Sequence, residues 1–119
     1  MRYMLLIYSN AESWDSMSRD QRLALSRGHG ELSAALRASG ELVHAAGLDD
    51  ESLSTTVRVT ADDEIEATDG PYIEAKEHLA GYYVVDVPDR DAAVAIAARI
   101  PDAKYVAVEV RPLTGPQAP

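Results

Sequence analysis

The sequence predicts an α+β fold: one antiparallel sheet with its helices on a single side. Three observations lead there. A strongly capped helical stretch follows a short apolar strand near the N-terminus. A shorter helix lies between two valine-rich strands near the C-terminus. Two alternating segments joined by a tight turn separate these halves, as in a hairpin.

Tyr3 to Tyr8 is an apolar run between Arg2 and Ser9-Asn10 and reads as the first strand. It is too short for the apolar core of an export signal or for a membrane span, so a cytoplasmic location is expected. Ser18 with Gln21 is a capping-box pair, and Gly40 stands where a left-handed helix end belongs. Between them Leu25, His29, Leu32 and Leu36 recur at helical spacing, which predicts a helix from Arg19 to Ser39. Glu41 to Leu48 is a weakly patterned second strand, and Leu48 to Ser54 is an acidic loop. Thr55 to Thr60 and Glu64 to Thr68 alternate around Ala61-Asp62-Asp63, giving a half-buried hairpin. Asp69-Gly70-Pro71 is a second turn. Leu79 to Val87 has the unbroken apolar character of a central strand, and Pro88 stops it. Asp89 caps a helix with Ala93, Ile96, Ala97 and Ile100 at core spacing, and Pro101 ends it. Tyr105 to Val110 is the last strand.

The order is strand-helix-strand, hairpin, strand-helix-strand: a ferredoxin-like split βαβ sandwich with an inserted hairpin. The domain is expected over residues 1–113, with a disordered tail over 114–119. Helices on one side leave the other face of the sheet bare, and the chain has too little material to cover it. A twofold homodimer with sheets face to face is the expected solution.

Composition narrows the function. The 119 residues are 46% hydrophobic, enough for one core and too many for disorder. A net charge of −9 argues against nucleic-acid partners and anionic membranes. No cysteine is present, so there is no disulfide, thiolate metal site or cysteine nucleophile. His29, His44 and His78 lack metal-ligand spacing, and Gly-rich phosphate loops and a Gly-x-Ser-x-Gly elbow are absent; no metal or cofactor is expected.

Two groups of residues carry candidate chemistry. His29 lies on the apolar helix face between Gly28 and Gly30, each of which costs about 1 kcal/mol against Ala in a helix. A close approach by a strand or a ligand would offset that. His29 reads either as a general acid or base facing a pocket, or as a hydrogen-bonded core or dimer-seam histidine. Asp69, Glu74, Lys76, Glu77 and His78 crowd one short stretch between two strands. They read either as a cleft mouth, with Asp69, Glu77 and His78 as catalytic partners and Glu74, Lys76 and Tyr82 as ligand contacts, or as a surface turn. In the second reading Asp69 closes the turn and Lys76 pairs with Glu74 or Glu77, pairs worth under about 1 kcal/mol.

The string Thr68-Asp69-Gly70-Pro71-Tyr72-Ile73-Glu74-Ala75-Lys76-Glu77-His78-Leu79-Ala80-Gly81-Tyr82-Tyr83-Val84-Val85-Asp86-Val87 resembles the signature of the DGPF domain family, a branch of the YCII-related proteins. Met1 to Tyr8, Ala46-Gly47-Leu48, Thr55 to Val59 and Val108-Glu109-Val110-Arg111-Pro112 agree with it, so the resemblance spans Met1 to Leu113. Tyr72 replaces the family's Phe, and His78 stands where Gln is usual. The resemblance implies a small cytoplasmic protein forming a dimeric α+β barrel. Relatives are proposed to use a His-Asp pair in a cleft, and some genes of the branch neighbour sigma factors. His29 matches that histidine, whereas Ile100 stands where the aspartate is expected. Either another carboxylate replaces it or the chemistry is absent. Two functions follow as expectations: a small-molecule binder or lyase-, isomerase- or hydrolase-like enzyme around His29, or a non-catalytic accessory protein acting with a partner such as a sigma factor.

Overall fold

The computed structural model describes residues 1–115. β1 (Arg2–Asn10), β2 (Leu42–Gly47), β5 (Glu77–Asp86) and β6 (Ala107–Pro112) form one sheet in the order β2-β5-β1-β6. All its neighbours are antiparallel, which is the ferredoxin-like arrangement. α2 (Arg19–Ser39) and α3 (Arg90–Ala97) are the two crossover helices. β3 (Thr55–Val59) and β4 (Ile65–Asp69) pair only with each other.

Alternation along β1 sets the layers. Tyr3, Leu5 and Ile7 are buried, and the residues between them are not. Leu5 stands opposite Tyr83 on β5 and Val110 on β6, so one row of side chains runs across the sheet toward the helices. Leu32 and Leu36 of α2 and Ala93, Ile96 and Ala97 of α3 close over it. Met4, Leu6, Tyr8 and Tyr82 lie on the opposite face and are half-buried, and Val84 among them is buried. The molecule measures 49 × 43 × 19 Å, two layers thick, and its radius of gyration is 16.4 Å. A compact chain of this length has about 13–14 Å.

The helix caps form as their residues dictate. Ser18 and Gln21 make the capping box, and Gly40 takes φ 80° at the other end. Asp89 accepts the Ala92 N–H at 2.9 Å.

Four expectations need correction. A short helix α1 (Ala11–Ser16), not foreseen, follows β1 directly; Asn10 caps it by accepting the Ser13 N–H at 2.7 Å. The hairpin strands are exposed, not half-buried, because no layer packs on them. α3 stops at Ala97, and a 3-10 turn (Pro101–Lys104) delays the last strand to Ala107, although Ile100 still packs in the core. Lys76 pairs with Glu12 at 3.3 Å, on exposed surface, instead of Glu74 or Glu77. Of the expected tail, residues 116–119 lie outside the described residues.

Candidate functional site

His29 projects from the middle of α2 and is bonded on both ring nitrogens. Nε2 lies 2.5 Å from Asp102 Oδ1, and Nδ1 lies 2.8 Å from the Tyr83 hydroxyl. The imidazole and the phenol ring stack at 5.9 Å. His29 and Asp102 side chains are 29% and 13% exposed, so the pair is sheltered yet reachable.

The carboxylate arrives through backbone geometry. Ile100 is buried in the core in extended backbone, and Pro101 opens the 3-10 turn with its φ already set. Asp102 comes next and is held by its own carbonyl, which accepts the Tyr105 and Val106 N–H groups at 3.0 and 3.1 Å. Gly28 explains the approach: a Cβ there would sit 2.7 Å from Pro101 Cγ. Its missing side chain lets the turn come against α2, which places Asp102 beside the next residue, His29. Gly30 has no such neighbour within 4 Å. The carboxylate therefore stands two residues beyond the position the family pattern indicated, where Ile100 serves packing instead.

The hydrogen bonds assign the tautomer. An ionised carboxylate only accepts, so Nε2 carries the proton and Nδ1 presents its lone pair. The Tyr83 hydroxyl donates to Nδ1 of the neutral ring; against an imidazolium Nδ1 donates instead, and the hydroxyl turns its proton to the His29 carbonyl 3.5 Å away. Burial pushes the Tyr83 phenol above its ordinary value; the nearby Ser33 hydroxyl pulls the other way, and the Asp102 charge adds to the rise. The phenol is thus held as a donor.

These groups border a cavity of about 430 Å³ walled by Ile7, Leu25, Ala45, Ala80 and Tyr82, with Trp14 and Arg22 on its rim. Arg22 donates to the Trp14 carbonyl at 2.7 Å, and its guanidinium lies 4.5 Å from the Trp14 ring centre. The cavity size falls within the usual range for small-molecule sites, about 300–1,000 Å³.

The second group of candidates does not reach His29. Lys76 and His78 border a wider hollow of about 840 Å³ that also touches His29 and Asp102, but neither bonds them. Glu77 begins β5 and faces a separate hollow with His78. Glu74 lies on a further, shallow hollow. Asp69 ends β4, exposed, opposite Thr55. Tyr82 borders the cavity, with its ring tilted against His44 at 5.6 Å. Asp50, on the wider hollow, is held below the usual carboxylate range by the Ser52 hydroxyl and N–H, which it accepts while capping a 3-10 turn (Glu51–Leu53). Among the described residues, no cluster of three or more His, Asp and Glu side chains is arranged to hold a metal ion.

Asp102, Tyr83 and Arg22 were not singled out from the sequence. Tyr83 shares its strand face with Val85 by simple alternation, and Arg22 precedes His29 by two helical turns. Both signals were present in the spacing.

A family model described as the YCII-related domain matches residues 1–115. The chain belongs to the YCII-related domain family. It is also 31% identical over 118 residues to an uncharacterised protein of Rhizobium meliloti (strain 1021), covering 95% of this chain and 92% of the relative. In this YCII-related chain the long helix carries His29, and the carboxylate bonded to it is Asp102. No helix among the described residues is long and apolar enough to cross a membrane.

Proposed function

We propose that this YCII-related protein is an acid–base enzyme acting on a small molecule bound in the cavity beside His29. The observation that carries the reading is the unbroken chain Asp102–His29–Tyr83 on the cavity wall. Asp102 fixes the ring and stabilises the imidazolium that forms when His29 accepts a proton. Both ring nitrogens are already bonded, so the proton passes through the phenol. Substrate gives a proton to the Tyr83 oxygen while Tyr83 passes its own to Nδ1. The reverse path returns it to product. Such a relay suits lyase, isomerase or hydrolase-like chemistry, in which one group removes and redelivers a proton. The Asp69-Gly70-Pro71-Tyr72 turn supports a place in the DGPF branch.

The test is a metabolite library screened by thermal shift, with hits followed by NMR for conversion. Loss of general acid–base catalysis lowers turnover by about 10²–10⁴-fold. His29→Gln and Asp102→Asn are expected to lose that much while still binding the hit. Unchanged conversion by His29→Gln overturns the reading.

We also propose that two copies pair through the bare sheet face. The support is a slab 19 Å thick with Met4, Leu6 and Tyr82 only half-buried on the face away from the helices. Sedimentation should report a dimer, and Leu6→Glu should shift it to monomer. A wild-type monomer at high concentration removes this pairing.

A further inference from the structure

The geometry points to a negatively charged substrate, a small carboxylate, anchored by Arg22 at the rim of the same cavity; this rests on the acid–base reading above and names its substrate class. The reasoning starts from what holds Arg22. A surface arginine normally sways in water with its charge solvated. Here one amino group donates to the Trp14 carbonyl at 2.7 Å, and the guanidinium carbon lies 4.5 Å from the Trp14 ring centre. Nε is shut off from solvent and has no hydrogen-bond partner among the described residues. The planar fork is therefore fixed from two sides before any ligand arrives. Fixing it in advance removes much of the ordering cost of binding.

Its charge is unmatched. The ionisable groups bordering this cavity besides the tyrosines are Arg22, His29 and Asp102. Asp102 is committed to His29 at 2.5 Å. Among the described residues no carboxylate stands within ion-pair distance of Arg22, so the fork has one amino group left to offer. A carboxylate oxygen is the acceptor that matches a guanidinium best, through charge-assisted bonds.

The spacing fits one molecule between anchor and relay. Arg22 and His29 are seven positions apart on α2, about 10.5 Å along the axis, on the same face. Apolar walls between them, Leu25, Ala45 and Ala80, suit a short hydrocarbon body. The acid groups of the wider hollow, Glu12, Asp15, Asp49, Asp50 and Glu51, argue the other way, toward a cation. The two hollows join at Trp14, Leu25, His29 and Asp102, and the acids line the outer part while Arg22 borders the inner one. Salt screens exposed acids of this kind more than it screens a fork in direct contact with the ligand, so the contact decides.

The experiment compares three probes of one shape and different charge: benzoate, benzamide and benzylamine. Each is titrated into the full chain at neutral pH and about 0.15 M salt by ligand-observed NMR and thermal shift. A net charge-assisted pairing corresponds to roughly a tenfold preference. Benzoate should bind the wild type about tenfold more tightly than benzamide, with benzylamine weakest. Arg22→Met should erase the preference. Arg22→Lys, which keeps stem and charge but not the fork, should retain part of it, and serves if the methionine variant folds poorly. His29→Gln should keep the benzoate preference, since it leaves the anchor alone. No benzoate binding, equal binding of the three probes, a benzylamine preference, or a benzoate preference that survives Arg22→Met overturns the anchor. Loss of conversion in every assay with the anchor intact would remove the acid–base reading and leave this one standing.

Discussion

The β3–β4 hairpin and the inner face of the four-stranded sheet share a sequence pattern and meet opposite fates. In both, alternate positions carry β-branched or large apolar residues; the positions between are polar on the hairpin and mostly apolar on β1 and β5. On the sheet, Leu5 is fully buried and Leu36 of the facing helix is 1% exposed. On the hairpin, Ile65 is 75% exposed and Val57 and Val59 are little better covered. Alternation encodes a strand with two unlike faces. It does not encode a partner layer, and burial needs one.

The largest expected contrast follows from that. Leu36→Ala removes a side chain with no room to relax and should cost about 2–5 kcal/mol in urea unfolding. Ile65→Ala should stay within about 0.5 kcal/mol, as at other exposed positions. Equal losses would mean that the hairpin is covered in solution, by a second copy or another partner, and would break the comparison.

The two glycines beside His29 sharpen it on a smaller scale. Gly28→Ala drives a Cβ to 2.7 Å from Pro101 Cγ, a ring tied to the backbone. Overpacking of this kind costs typically about 1–3 kcal/mol. The loss should come with a changed His29 ring NMR signal as Asp102 is pushed back. Gly30→Ala meets nothing within 4 Å and should instead gain about 1 kcal/mol of helix propensity. If both variants behave alike, close contact at Pro101 is not what places the carboxylate.

The smallest effect is one of pH. The Tyr83 phenol titrates above its ordinary 10.0 in the folded chain. The native state therefore holds its proton where the unfolded chain has lost it. Stability from this group is complete below about pH 10 and falls as pH rises through the folded value. The urea midpoint should drop more steeply above pH 10 in the wild type than in Tyr83→Phe. Parallel profiles would show that burial of Tyr83 does not hold its proton.

Much of the fold was legible because its signals are local. Caps at Ser18 and Asp89, Gly40 as a helix end, and valine alternation each act within a few residues. α1 was missed because its only large apolar side chain is Trp14, which gives no periodicity to read. The site was half legible. His29 stood out between two costly glycines, and only the structure shows that Gly28 clears space while Gly30 does not. Its partners were invisible for a physical reason. Counting positions to Ile100 assumes that the helix delivers the carboxylate, whereas a proline-led turn does so two residues later. The acidic stretch from Asp69 to His78 looked rich in chemistry because its residues are close in sequence, yet its side chains disperse over different hollows.

The ring of His29 joins partners 54 and 73 residues away along the chain. Closing such long loops has an entropic cost that only the finished core repays. The Asp102–His29–Tyr83 chain is therefore complete only when the turn at Pro101 has docked on α2. A chain that has made α2 but not yet the turn at Pro101 carries the imidazole without its carboxylate. The proposed chemistry would then report the docking of the Pro101 turn, and a change that dislodges that turn would part Asp102 from His29.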